Sequence, residues 1–317
     1  MAERRKWTKY RNSRGCVVTC CEGEHVSLSE LKEDPGLDNQ YLKKRNIPPY
    51  PESAVFYAPN VCHVTAQSGL QGIFANGGFW VPHHEGYDNF LWWSLSLTEY
   101  DIAEAEENFL NETFPDGWNQ NQQPFLEDFT TSPAFQDESR YGNFRFTFPL
   151  RELLSQYARQ FCGKSAPVLR VYNTQIYKQE IMYTVLVHPR HINRYKQYPR
   201  LPVEEDVCGY FQGQVSWWCQ APSGAHHYKL EVDQRRRKVN VRTLRREEYY
   251  VWDHVAVAFH MEPHWILRVN QARLYNSLTV CEVSQLNLLR KPDTGLRVDD
   301  AEEMLNDLGI EYNLIYY

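Results

Sequence analysis

An α+β fold is what this sequence predicts, and three observations predict it. Strand and helix signatures alternate through the first half of the chain. The stretch 166–189 then supplies two consecutive strands around a central turn, and from position 201 onward most segments read as strands separated by Pro, Gly or charged turns. With 317 residues, 42% hydrophobic and 23% charged, the chain is long and apolar enough for one large core or two ordinary ones.

The elements follow in order. Residues 1–50 begin basic, turn mixed and end in the Pro-rich run IPPYPES, which predicts a connector with the folded core starting near Glu52. VFYAPNVCHVT is β-branched and aromatic, but Pro59 interrupts it, so the usable strand is Asn60 to Thr65. After Ser68, the residues Leu70, Ile73 and Phe74 recur at helical spacing, and Gly77 and Gly78 supply left-handed stop positions. FLWWSLSL alternates as a strand, and EYDIAEAEENFLNETF places Ile102, Ala105 and Phe109 on one side of a helix with acids on the other. A loop rich in Asn, Gln, Pro and Asp spans about 115–142, long enough to be a functional flap or an insertion. FRFTFPL is a strand, and RELLSQYARQF is a helix with Leu153, Leu154 and Tyr157 inward, stopped by Gly163. Near the end, Asp299 reads as a helix cap three residues before Glu302, Gly309 as the stop, and EYNLIYY as a last strand.

Charge and cysteine usage narrow the function classes. A net charge of -6 argues against a surface given over to nucleic acid. No run reaches the roughly 18 apolar residues of a membrane span, and the opening MAERRKWTKYRNSRG lacks the apolar stretch of a signal peptide, so an intracellular location is expected. The eight cysteines form no CxxC pair, which predicts reduced thiols. Cys208, Cys219, His226 and His227 match no usual zinc spacing, and no metal is expected. Cys20 and Cys21 are candidate lipid sites by position, though buried thiols are the simpler reading.

Three motifs carry the chemistry. CHVTAQSGLQGIFANGGFWVP is a strand ending in His63, a polar turn, and a helix with Ile73 followed by Gly77 and Gly78. GYDNFLWWSLSLTEYDIAEA is a loop, a strand containing Trp92 and Trp93, and a helix. IYKQEIMYTVLVHP opens with Glu180 and continues as alternating β-branched and aromatic residues. In this order they resemble the poly(ADP-ribose) polymerases and their relatives in the ADP-ribosyltransferase superfamily, of the His-Tyr-Glu class, over roughly residues 55–190. Trp93 stands where the tyrosine is usual, Val64 where a glycine follows the histidine, and Lys178 where arginine-modifying relatives carry an acid.

The resemblance implies split mixed sheets flanked by short helices, with an N-terminal segment at 1–50, an NAD-binding domain at 51–200 and a β-rich C-terminal region at 201–317, separate from the core or continuous with it. It implies NAD as substrate and transfer of ADP-ribose to a macromolecular acceptor. His63 would bond the adenosine ribose, the peptide of Val64 the carboxamide, and Trp93 or Trp92 would stack on nicotinamide. Glu180 would stabilise the oxocarbenium-like transition state. For these roles the strands of His63 and Glu180 are expected side by side, facing one pocket. Tyr177 and Lys178 would line an acceptor loop. Ser94 and Ser96 form a Ser-Leu-Ser pattern like the nucleotide-binding serines of arginine-type transferases, a competing register for the same strand.

Two other readings stand beside this one. The fold can persist as a catalytically inactive binding or interaction module. An RNA-directed enzyme of the same superfamily is the other, for which DQRRRKVNVRTLRR, with Arg235, Arg236, Arg237 and Lys238, is the discriminating basic run. A charged edge strand explains that run as well.

Overall fold

Among the described residues the β-branched and aromatic runs assemble into a mixed sheet of nine strands, a three-stranded sheet and three two-stranded pairs, supported by short helices. The computed structural model describes residues 7–11, 17–21, 24–34, 54–81, 89–119, 138–139, 141–177, 180–201, 208–219, 228–233, 235–243, 252–283 and 296–313. The strands are β1 (Trp7–Arg11), β2 (Val17–Cys21), β3 (Ala54–Ala58), β4 (Asn60–Thr65), β5 (Gly78–Trp80), β6 (Phe90–Ser96), β7 (Glu138–Ser139), β8 (Phe144–Pro149) and β9 (Val168–Tyr177). They continue with β10 (Glu180–His188), β11 (Cys208–Phe211), β12 (Gln214–Cys219), β13 (Tyr228–Asp233), β14 (Lys238–Thr243), β15 (Trp252–His260), β16 (Ile266–Arg268), β17 (Leu278–Val280) and β18 (Glu282–Val283). The helices are α1 (Leu28–Glu33), α2 (Gln67–Asn76), α3 (Glu99–Thr113), α4 (Leu150–Phe161), α5 (Gln271–Ser277) and α6 (Val298–Asp307).

The large sheet runs β1-β2-β9-β10-β15-β6-β4-β8-β17. β10 and β15 pair in parallel, and the other pairs within it are antiparallel. Its main core face carries Val61, Trp93, Leu95, Phe146, Phe148, Val185 and Val257, all buried. Helix α4 closes part of that face through Leu150, Leu153, Leu154 and Tyr157, each burial contributing on the order of 2 kcal/mol. The opposite face carries a smaller cluster of Phe90, Leu186, Tyr195, Tyr198 and Ala258.

Several expectations change here. The folded core does not wait until Glu52: β1 and β2 extend the large sheet beyond β9, and Val26, Leu28 and Leu31 are buried in the main core. Cys20 and Cys21 are buried in β2, where no lipid could be attached without unfolding the edge. Pro59 does not end the preceding run's strand character. It marks a change of sheet, since β3 pairs with β12 while β4 enters the large sheet.

Glycines 77 and 78 prove to have different duties. Gly77 is the left-handed residue after α2, at φ 63°, whereas a Cβ on Gly78 would lie 2.3 Å from the Leu267 carbonyl oxygen across the β5–β16 pair. At α6 the N-cap is Arg297, without a side-chain bond, and Asp299 lies in the first turn. The expected last strand is represented by a bridge between Asn313 and Thr279, with 314–317 outside the described residues.

The C-terminal region is not laid over a finished N-terminal sheet. β15 sits between β10 and β6 and pairs with both, so residues 252–260 form a central strand. In place of two halves of a split sheet, one nine-stranded sheet carries the strands of His63, Trp93 and Glu180.

Candidate functional site

His63 lies on β4, and alternation gives it the face it shares with Val61, toward the main core. Its ring meets Phe79 edge-on at 5.3 Å between centroids and Trp93 at 5.4 Å, and the residue stays half-buried. The Nδ1–H donates to the Trp92 carbonyl at 2.9 Å. A carbonyl only accepts, so Nδ1 carries the proton and Nε2 is left with its lone pair in the neutral ring. Burial among these rings pushes the pKa below the ordinary histidine value, against the opposing effect of the Trp92 carbonyl. At neutral pH the group is therefore an acceptor.

The two tryptophans divide between the faces. Trp93 is 1% exposed and enclosed by Phe79, Phe148 and Phe259. Its indole Nε1 is buried and has no acceptor among the described residues. A planar ligand cannot stack on it in this state, because both ring faces are already packed against core. Trp92, 46% exposed and edge-on to Phe90, is the accessible ring of β6. Ser94 is half-buried, paired with Ala256 and Cys62, and Val64 is half-buried, paired with Arg145 on β8.

Glu180 and Tyr177 pair across the β9–β10 turn as the first and last residues of their strands. Their side chains, and Lys178 entirely, lie outside the described residues. The strands of His63 and Glu180 are not neighbours, contrary to expectation: β6 and β15 lie between them. Three inter-strand steps separate the two positions by roughly 14 Å across the sheet.

Register adds a second separation. Glu180 pairs with Trp252 and Thr184 with Ala256, which pairs with Ser94 and then Cys62. His63 follows Cys62, and so belongs with the alternate row through Trp93, Val257 and Val185. The registers of β10, β15 and β6 run without a slip, so the backbone positions of Glu180 and His63 fall in alternate rows of the sheet.

The row Cys62, Ser94, Ala256, Thr184 and Asn173 crosses five strands with small or polar side chains. Arg145, missed in the sequence, is a buried guanidinium in register with Val64, and its charge partly offsets the burial that raises the Cys62 thiol pKa. A single Arg inside FRFTFP was the available signal. Of the basic run, Arg236 pairs with Asp233 at 3.6 Å, and Arg237 donates to the carbonyls of Asp116 and Gly117 at 3.1 and 3.0 Å. Arg235 is exposed, and the side chain of Lys238 lies outside the described residues.

Among the described residues no group of three or more His, Cys, Asp or Glu is placed to hold a metal ion, and no helix is long and apolar enough to cross a membrane. No family model, curated protein or solved structure matches the chain.

Proposed function

We propose that this chain is an ADP-ribosyltransferase-like module that binds NAD or ADP-ribose at His63, and that binding is the activity its geometry supports best. The observation that carries the reading is the fixed tautomer of His63, whose Nε2 is an acceptor for a ribose hydroxyl. The order of the three motifs supports the family, and the register of Glu180, on the row opposite His63, weighs against a joint catalytic pair.

Calorimetry with ADP-ribose and NAD tests this directly. Both ligands should bind, His63→Ala should weaken each about tenfold, close to the 1.4 kcal/mol of one well-made hydrogen bond, and NAD should be recovered intact. Failure of both ligands to bind would end the reading.

The transferase reading is favoured by one feature, the position of Glu180 at the head of a strand in the family's order. Under it, incubation with labelled NAD and cell extract yields a labelled acceptor, with release of nicotinamide. Glu180→Ala must abolish that product. Labelling that survives the substitution removes Glu180 from the chemistry.

A further inference from the structure

Beyond the His63 site, the segment after β10 concentrates cations. Residues 188–200 read HPRHINRYKQYPR, three arginines and a lysine without one acid, in a chain whose net charge is -6. Arg190, Arg194, Lys196 and Arg200 are all exposed. Behind them Arg170, 8% exposed, donates through Nε to His188 Nε2 at 3.1 Å and through one terminal nitrogen to the carbonyls of Lys196 and Tyr198. None of those partners is an anion. Arg170 and Arg200 also bridge backbone to backbone, so two like charges are held at one level of the sheet edge. Neither Arg190 nor Arg200 has an ion-pair partner among the described residues.

The cations border a cleft. Arg190 and Arg200 line an open cavity of about 470 Å³ together with Val168, Leu201, Tyr210 and Phe211, a size within the usual range for small-molecule sites. Phe211 sits at the tip of the β11–β12 hairpin and is 63% exposed. That tip is tightly built: Gln212 and Gly213 both have positive φ, at 48° and 96°, which gives a two-residue turn matching the strand twist. A Cβ at Gly213 would come within 3.0 Å of the Arg151 side chain. The exposed ring is thus presented by a specified turn beside two guanidinium groups.

We propose that this cleft is a second binding site, for a small ligand that joins phosphate to a planar ring, with Arg190 and Arg200 taking the phosphate and Phe211 the ring. Guanidinium pairs match the oxygens of phosphate in forked geometry, and the two arginines that line the cleft suit a multiply charged group better than one carboxylate. An aromatic face at the mouth adds stacking, which inorganic phosphate cannot use.

The experiment is calorimetry of the full chain in a His63→Ala background, which separates this site from the one proposed above, with ADP, adenosine and pyrophosphate as probes. ADP should bind with one arginine-dependent event, and Arg190→Gln and Arg200→Gln, both surface changes, should each weaken it at least tenfold. Phe211→Ala should weaken ADP several-fold and leave pyrophosphate unchanged, while adenosine should show no measurable binding. No ADP binding, or equal ADP affinity in Arg190→Gln/Arg200→Gln, overturns the site. Binding to vesicles of phosphatidylcholine with phosphatidylinositol bisphosphate that ADP fails to compete would overturn the small-ligand assignment.

Discussion

His188 is locked in one neutral tautomer. Its Nδ1–H donates to the Pro189 carbonyl at 2.7 Å, and its Nε2 accepts from Arg170. Burial, and then the nearby charges of Arg170 and Arg200 and the neighbouring His260, take its pKa down to about 4, although the Pro189 carbonyl works the other way. An unfolded histidine titrates near 6.5, so between these values the unfolded chain takes up a proton that the native chain refuses. Stability should be constant above about pH 6.5 and fall by up to roughly 3 kcal/mol as pH drops toward 4. Urea unfolding from pH 7 to 4.5 should show this slope flattened in His188→Gln, whose amide oxygen can still accept from Arg170. An unchanged slope would place the acid sensitivity elsewhere. Trp93 gives a second case at this scale: its removal empties a fully packed aromatic site, and Trp93→Ala should lower unfolding free energy by about 3–5 kcal/mol. Trp93→Phe should lose far less, because the smaller ring also removes an indole N–H that has no acceptor among the described residues.

At the scale of elements, capping decides where helices begin. Thr98 and Asp101 form a reciprocal capping box on α3, with the Thr98 backbone N–H donating to Asp101 at 2.7 Å. Thr98→Ala should cost about 1 kcal/mol in urea unfolding. At α6 the cap position is Arg297, which holds no helix N–H, and its pair with Asp299 is 3.6 Å long and more than four-fifths exposed on both sides. Such a pair contributes little, so Arg297→Ser should raise stability by roughly 0.5–1 kcal/mol, and a loss would show that the ion pair outweighs the cap. The strongly periodic elements were legible in the residues: β4 at 60–65, α3, and α4 with Leu153, Leu154 and Tyr157 inward. The N-terminal elements were not, although Ser27 and Glu30 form a capping box and VVTCC is β-branched. The basic, Pro-rich surroundings of those short runs outweigh their own strand and cap signals and resemble a connector. Strand order was hidden for another reason. Periodicity says which face of β6 or β10 is buried, but nothing local says that β15, some seventy residues later, will separate them.

For the whole molecule, that late strand makes the fold dependent on both ends of the chain. A fragment of residues 1–201 lacks the central strand, and the open edges of β10 and β6 have no partner to close the gap. It should show no cooperative unfolding transition, whereas a cooperative transition like that of the full chain would contradict the central role of β15. The same strand order set the functional outcome. The sequence motifs named His63, Trp93 and Glu180 as one constellation, and the sheet distributes them as an acceptor histidine at an aromatic wall, a buried core ring on the next strand, and a glutamate three strands from the histidine. The most direct measurement is a crystal structure of the full chain with ADP-ribose. A ribose hydroxyl should lie within hydrogen-bond distance of His63 Nε2, with Glu180 away from the ligand. Ligand seated against Glu180, with His63 unengaged, would contradict it.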